Sequence, residues 1–252
     1  MQNALLPDNT LAAFEAERQH RKAQLAAACR LFARAGFEQG AAGHLSSRDP
    51  EWPDRFWLNP FGLSFARIKV SALQLIDCNG HIHVGQGKLN PAAVQIHSQI
   101  YRQRPDVLGI THAHSLYGKT WSALDRRLDP ITQDACAFYE DHVLFSEFNG
   151  LVDNDTEGVA LARSLGGSKA AILANHGLLT VGTSISTAAW WFLTMDRCCH
   201  SQLLAEAAGC PKVISPDVAL RTRQIVGGEV SAERSFGALY EVLVCEEPGL
   251  LD

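Results

Sequence analysis

Apolar positions change period repeatedly along the chain, and the changes predict alternating helices and strands. Leu25, Ala28, Cys29 and Phe32 recur at helical spacing and predict a long helix over 11–35, stopped by Gly36. Polar, Gly-rich residues over 40–49 read as a loop. Phe56-Trp57-Leu58 reads as a short strand closed by Asn59-Pro60-Phe61-Gly62, which is turn chemistry. Two apolar runs, 73–76 and 81–84, flank Cys78-Asn79-Gly80, a hairpin pattern. Asn90-Pro91 pairs an N-cap with proline at the first helical position and opens a helix to about residue 102.

Residues 107–114 read as a strand, 116–124 as a short helix, and 138–148 as mixed and partly extended. Asp155 caps a helix that ends at Gly166-Gly167. Strands over 170–174 and 178–181 flank the turn Asn175-His176-Gly177. A second long helix over 186–208, stopped by Gly209, carries Trp190, Trp191, Phe192 and Met195, read as core. Ser215-Pro216 starts another helix, and 231–244 is the last. No repeat or shift in composition divides the chain, so the expectation is one layered α/β domain over 1–252.

Composition narrows the function classes. A length of 252 residues with 46% hydrophobic and 19% charged content suits a folded protein with a substantial core rather than a disordered one. Net charge is −5 and no basic block occurs, which argues against a nucleic-acid surface. No apolar run is long enough to span a membrane, and the first ten residues lack the pattern of a secretory signal. Seven cysteines without a Cys-x-x-Cys pair read as reduced, buried small hydrophobes. The expectation is a soluble, cytoplasmic protein with no nucleic-acid or membrane partner.

The candidate chemistry lies in Thr111-His112-Ala113-His114 and Asn175-His176-Gly177. Residues two apart on a strand share a face, so His112 and His114 present two imidazoles together. His176, from a tight turn, would complete three ligands and leave a position open for water or substrate, as in catalytic zinc; non-haem iron fits equally. His81 and His83 have the same spacing but follow an Asn-Gly turn and read as surface residues. Spacing alone does not separate the two pairs. A structural metal would usually have four ligands, often with cysteine, and only Cys136 lies near the triad in sequence.

Four segments resemble, in order, those of the class II aldolase/adducin family: Gly43-His44-Leu45-Ser46-Ser47-Arg48, Asn59-Pro60-Phe61-Gly62, Arg104-Pro105-Asp106-Val107 with Thr111-His112-Ala113-His114-Ser115, and Asn175-His176-Gly177. The resemblance covers about residues 20–210. It implies a three-layer α/β/α domain with a central, mainly antiparallel sheet. It also implies one divalent metal, Fe(II) or Zn(II), on His112, His114 and His176, and a homo-oligomer, often a tetramer with sites between subunits. Gly43, Ser46, Arg48, Asn59 and Gly62 would line the substrate site. A non-enzymatic scaffold of the adducin kind is the competing reading. The three retained histidines, and a chain ending at Asp252 without a long charged tail, favour an enzyme.

The departures are as informative. The glutamate that serves aldolases as base corresponds to Ala93, and two phosphate-binding serines correspond to Pro91 and Ala92. His44 replaces the loop asparagine, and Tyr139 is the nearest tyrosine to the aldolase proton donor. Sugar-phosphate aldol cleavage is therefore not expected, although a zinc lyase of another substrate stays open. Residues 40–49, 57–62 and 134–142 resemble more closely the non-haem iron oxygenases of aminocoumarin biosynthesis, which oxidatively decarboxylate aromatic 2-oxo acids. That likeness implies a small carboxylate or carbonyl substrate, with His44, Tyr139, Glu140 and His142 contacting it or moving protons. Each has a plainer reading: His44 as an exposed loop residue, Tyr139 as core, and 140–142 as a solvated turn. Arg48 could pair with Asp49, and His97 reads as a packing residue or a partner of a ligand.

Overall fold

Residues 8–147 and 155–252 are described in a computed structural model of the chain. Helix α1 spans Asp8–Arg34 and ends before Gly36, whose φ of 76° turns the chain away. The residues that follow form strand β1 (His44–Arg48), buried along its whole length. This corrects the loop expected over 40–49: the sequence HLSSR lacks the apolar alternation of a strand, yet it pairs on both edges. β2 (Arg55–Leu58), β3 (Gln74–Asp77) and β4 (Ile82–Val84) follow as antiparallel neighbours, β3 and β4 joined through the expected Asn-Gly turn.

Helix α2 (Pro91–Gln103) starts as its sequence dictates, with the Asn90 side chain accepting a hydrogen bond from the Ala92 N–H. Then come β5 (Gly109–Ala113), α3 (Leu116–Ser122), β6 (His142–Phe145), α4 (Asp155–Leu165), β7 (Ala170–Leu173) and β8 (Gly177–Gly182). Phe148, the end of the expected mixed segment, lies outside the described residues. Helix α5 (Ile185–Ala208) opens with a reciprocal capping box between Ser184 and Thr187. The chain closes with α6 (Pro216–Val226) and α7 (Glu229–Glu246).

The eight strands form one sheet in the order β4-β3-β2-β1-β5-β8-β7-β6, antiparallel except for the β6–β7 pair. Side chains alternate between two cores, one on each face. Leu45, Ala113, Ile172 and Leu178 pack with α1, α5 and α7. Ile110, Leu173, Leu179 and Val181 pack with α2 and α4. This is the expected three-layer α/β/α arrangement with a mainly antiparallel sheet. Trp191, Phe192 and Met195 are fully buried, as core readings require. Cys210 and Cys245 are exposed, unlike the buried cysteines expected from composition. No helix among the described residues is long and apolar enough to cross a membrane.

Candidate metal centre

β5 lies at the middle of the sheet, hydrogen-bonded to β1 on one side and β8 on the other. Its alternation sends Ile110 and His112 towards the α2 face. His112 is 1% exposed, and its Nδ1 lies 2.8 Å from the Leu178 carbonyl oxygen. A carbonyl can only accept, so His112 carries its proton on Nδ1 and turns the Nε2 lone pair into the site. His114 follows one residue past the strand. His176 sits in the turn between β7 and β8, where Asn175 adopts φ 56°. A side chain at Gly177 would place its Cβ 2.9 Å from the Ala113 carbonyl, so glycine lets this turn close onto the end of β5.

The three imidazoles converge. Their ring centroids are 4.7–5.1 Å apart, and one nitrogen from each lies within 4.8 Å of the others. Burial and the neighbouring rings push their pKa values down. His112 falls well below 6.5, with burial first and then His176, His44 and His114 as causes. His176 falls to about 4 through burial and His114, and His114 falls through burial and Lys119. All three are therefore neutral near pH 7, with lone pairs available. Three neutral nitrogen donors converging on one point fit a divalent zinc or iron ion.

Beside the triad lies a second polar row. His44 pairs directly opposite His112 in the β1–β5 register, 2% exposed, with ring centroids 4.8 Å apart. Its Nδ1 meets Nε2 of His97, on α2, at 2.7 Å. His97 Nδ1 meets Ser46 Oγ at 2.6 Å, and Ser46 Oγ meets the Tyr101 hydroxyl at 2.9 Å. The sequence reads His97 as a packing residue or a partner of a ligand, and the structure joins it to His44; nothing in the sequence reading singles out Tyr101. The available signal was the i, i+4, i+8 stripe Ala93-His97-Tyr101 on one face of α2, opposite the i, i+2 pair His44 and Ser46 on β1.

The remaining expected residues divide sharply. Arg48 is not placed to bind an anion: its guanidinium donates to the carbonyls of Val107, Pro53, Tyr101 and Arg104 and stacks over the Tyr101 ring. Asn59 accepts the Leu45 N–H at 2.8 Å and so pins β1. Gly43, at φ 99°, lets β1 start against Phe65 and the His112 carbonyl, and Gly62 sits in an exposed turn. His142 is a correction: its Nδ1 lies 2.6 Å from the Phe138 carbonyl and its Nε2 accepts the Leu128 N–H at 3.0 Å. Both ring nitrogens are engaged by backbone, and β6 is three strands, about 14 Å, from β5. Tyr139 and Glu140 precede β6, where their carbonyls accept from Arg223, so within one chain they do not reach the triad either. Ala93 is fully buried in the apolar cluster under α2.

Comparison with known proteins agrees with this geometry. Residues 23–203 match the family model described as the class II aldolase and adducin N-terminal domain. The decarboxylase NovR of Streptomyces niveus is 43% identical over 242 residues, covering 94% of this chain and 90% of its own. A 4-hydroxy-3-prenylphenylpyruvate oxygenase/4-hydroxy-3-prenylbenzoate synthase of Streptomyces roseochromogenus subsp. oscitans is also 43% identical, over 94% of this chain and 87% of its own. Among solved structures, an L-fuculose 1-phosphate aldolase from Glaciozyma antarctica PI12 superposes with a TM-score of 0.85 at 40% identity, covering 98% of this chain and 95% of that one.

Proposed function

As this chain belongs to the class II aldolase and adducin family, we propose that it is a non-haem iron oxygenase that oxidatively decarboxylates a small aromatic 2-oxo acid. The observation that carries the reading is the pairing of a complete three-imidazole site with a buried alanine at the position of the aldolase base. His112, His114 and His176 hold the metal; Fe(II) bound there would supply the redox chemistry with dioxygen.

The rest falls to side chains of this chain. Three neutral ligands leave the charge of a divalent ion uncompensated, which favours an anionic, chelating substrate over a neutral one. His44 stands beside His112 as a polar group for the substrate's oxygen atoms. The cavity next to His176, lined by Ile96, Phe145, Leu161, Leu173, Glu147 and Glu157, has a volume of about 10 Å³, room for no more than a water molecule, so an aromatic ring would have to lie outside it. Ala93 provides no carboxylate to take a proton from a sugar carbon, so aldol cleavage lacks its base. The names of the two Streptomyces relatives support the same chemistry. From the family resemblance we take the protein to be a cytoplasmic homo-tetramer; light scattering measures its mass.

The test is anaerobic reconstitution with Fe(II), followed by an oxygen electrode and phenylpyruvate. Oxygen uptake that needs both iron and the 2-oxo acid is expected. The aldolase name of the Glaciozyma structure favours a second reading, a zinc lyase. Zinc-dependent cleavage of a ketose phosphate, with no oxygen uptake, would replace the oxygenase reading with that one.

A further inference from the structure

We infer that His44 serves this site as a fixed hydrogen-bond donor, presenting Nε2–H to a carbonyl or carboxylate oxygen of the substrate, and that His97, Ser46 and Tyr101 position that proton. The inference comes from the direction of a buried hydrogen-bond chain. Tyr101, Ser46, His97 and His44 are joined by three contacts of 2.9, 2.6 and 2.7 Å. All four residues are buried, so each contact holds one proton, and His97 either donates to His44 or accepts from it.

The far end decides between them. The Tyr101 hydroxyl has Ser46 Oγ as its hydrogen-bond partner, and no other acceptor for its proton occurs among the described residues. Tyr101 can donate to Ser46, Ser46 to His97 Nδ1, and His97 from Nε2 to His44 Nδ1. Every donor and acceptor along the chain is then used. If His97 instead accepts from His44, it donates to Ser46, and either the phenol proton or, where Tyr101 also donates to Ser46, the Ser46 proton is buried without an acceptor among the described residues, an arrangement that folded proteins avoid. Nearby Arg48, stacked over the Tyr101 ring, is itself a donor and offers no acceptor.

With Nδ1 of His44 accepting, its second nitrogen must carry the proton. The ring lies between His97 on one side and His112 on the other, with centroid separations of 4.6 and 4.8 Å. Two consequences follow. An Nε2 that bears hydrogen has no lone pair for a metal, so His44 does not become a fourth ligand and the protein donors remain three. A donor in that place also selects substrates with an unprotonated oxygen and disfavours those presenting a hydroxyl proton. His97 and Tyr101 touch neither metal nor substrate; they are positioning residues that set the tautomer of His44 from α2.

The identity of the acceptor rests on the metal-site reading, but the location of the proton does not. The experiment therefore starts with metal-free protein labelled with 15N-histidine, in which long-range 1H–15N spectra distinguish the two neutral tautomers. H44N and H97Q assign the signals. Wild-type protein is expected to show Nε2–H tautomers at both His44 and His97. In Y101F the chain loses its fixed end, and His44 is expected in both tautomers. With Zn(II)-loaded Y101F, an even split would raise the apparent Kd for phenylpyruvate about twofold while zinc content stays unchanged. Wild-type His44 in the Nδ1–H form, or a Y101F spectrum identical to wild type, would overturn the inference. Zinc retained by H112A would instead overturn the metal-site reading and leave the tautomer result standing.

Discussion

The chain holds two His-x-His pairs of identical spacing, and their surroundings could hardly differ more. His81 and His83 lie at the outer edge of the sheet, where β4 has a single neighbour, and their side chains are 74% and 32% exposed. Both rings turn to one carboxylate oxygen of Asp77, at 3.1 and 3.2 Å. His112 and His114 lie at the centre, with strands on both sides, and the turn carrying His176 folds onto them. Spacing supplies two imidazoles on one face. A metal site also needs a third donor from elsewhere in the fold, and burial that keeps all three neutral.

Substitutions can break or sharpen this contrast. The largest effect is expected from His112→Ala, which should reduce bound metal from about one per chain to background, whereas His81→Ala should leave it unchanged; elemental analysis of the purified variants checks both. Next comes Ala93→Glu. Burying a carboxyl among apolar side chains should cost the metal-free protein about 1–3 kcal/mol, while a fourth, acidic donor beside the triad should tighten zinc about tenfold. Denaturation and competitive chelation measure the two parts, and unchanged zinc affinity would mean that residue 93 does not face the site.

A third prediction concerns a buried histidine outside either pair. Burial holds the His142 pKa below its ordinary value, outweighing the opposing pull of the Phe138 carbonyl. The unfolded chain therefore takes up this proton first. The contribution is full above about pH 6.5 and is lost towards the lower folded value, at up to about 1.4 kcal/mol per pH unit. His142→Ala should cost about 2 kcal/mol at pH 7.5 and less at pH 5.5; urea denaturation at both values measures the difference. The smallest effect is expected from Asp77→Asn at the exposed pair, about 0.5 kcal/mol with no change in metal content.

Sequence alone reached the elements with strong local signals. The Asn90 cap, the helical stop at Gly36 and the Asn-Gly hairpin all appear in the fold because short-range chemistry fixes them. The resemblance to the family identified the layered architecture. β1 was not legible because its α2-facing positions, His44, Ser46 and Arg48, are polar. Their polarity reflects the network that they build with α2, so the usual apolar signature of a buried strand is missing where the site lies. The same gap hides Tyr101 and leaves His97 legible only as a packing residue or a partner of a ligand, because the groups that they bond lie on β1. In the opposite direction, the histidine of Glu140-Asp141-His142 looked chemically apt, but its ring is consumed by the Phe138 and Leu128 backbone.

The most direct measurement is diffraction from Fe(II)-loaded crystals on both sides of the iron absorption edge. One anomalous peak among the nitrogens of His112, His114 and His176, absent from the far side of the edge, is the expected result. A peak at Asp77, His81 and His83, or no peak at all, would contradict the assignment of the metal to the central pair.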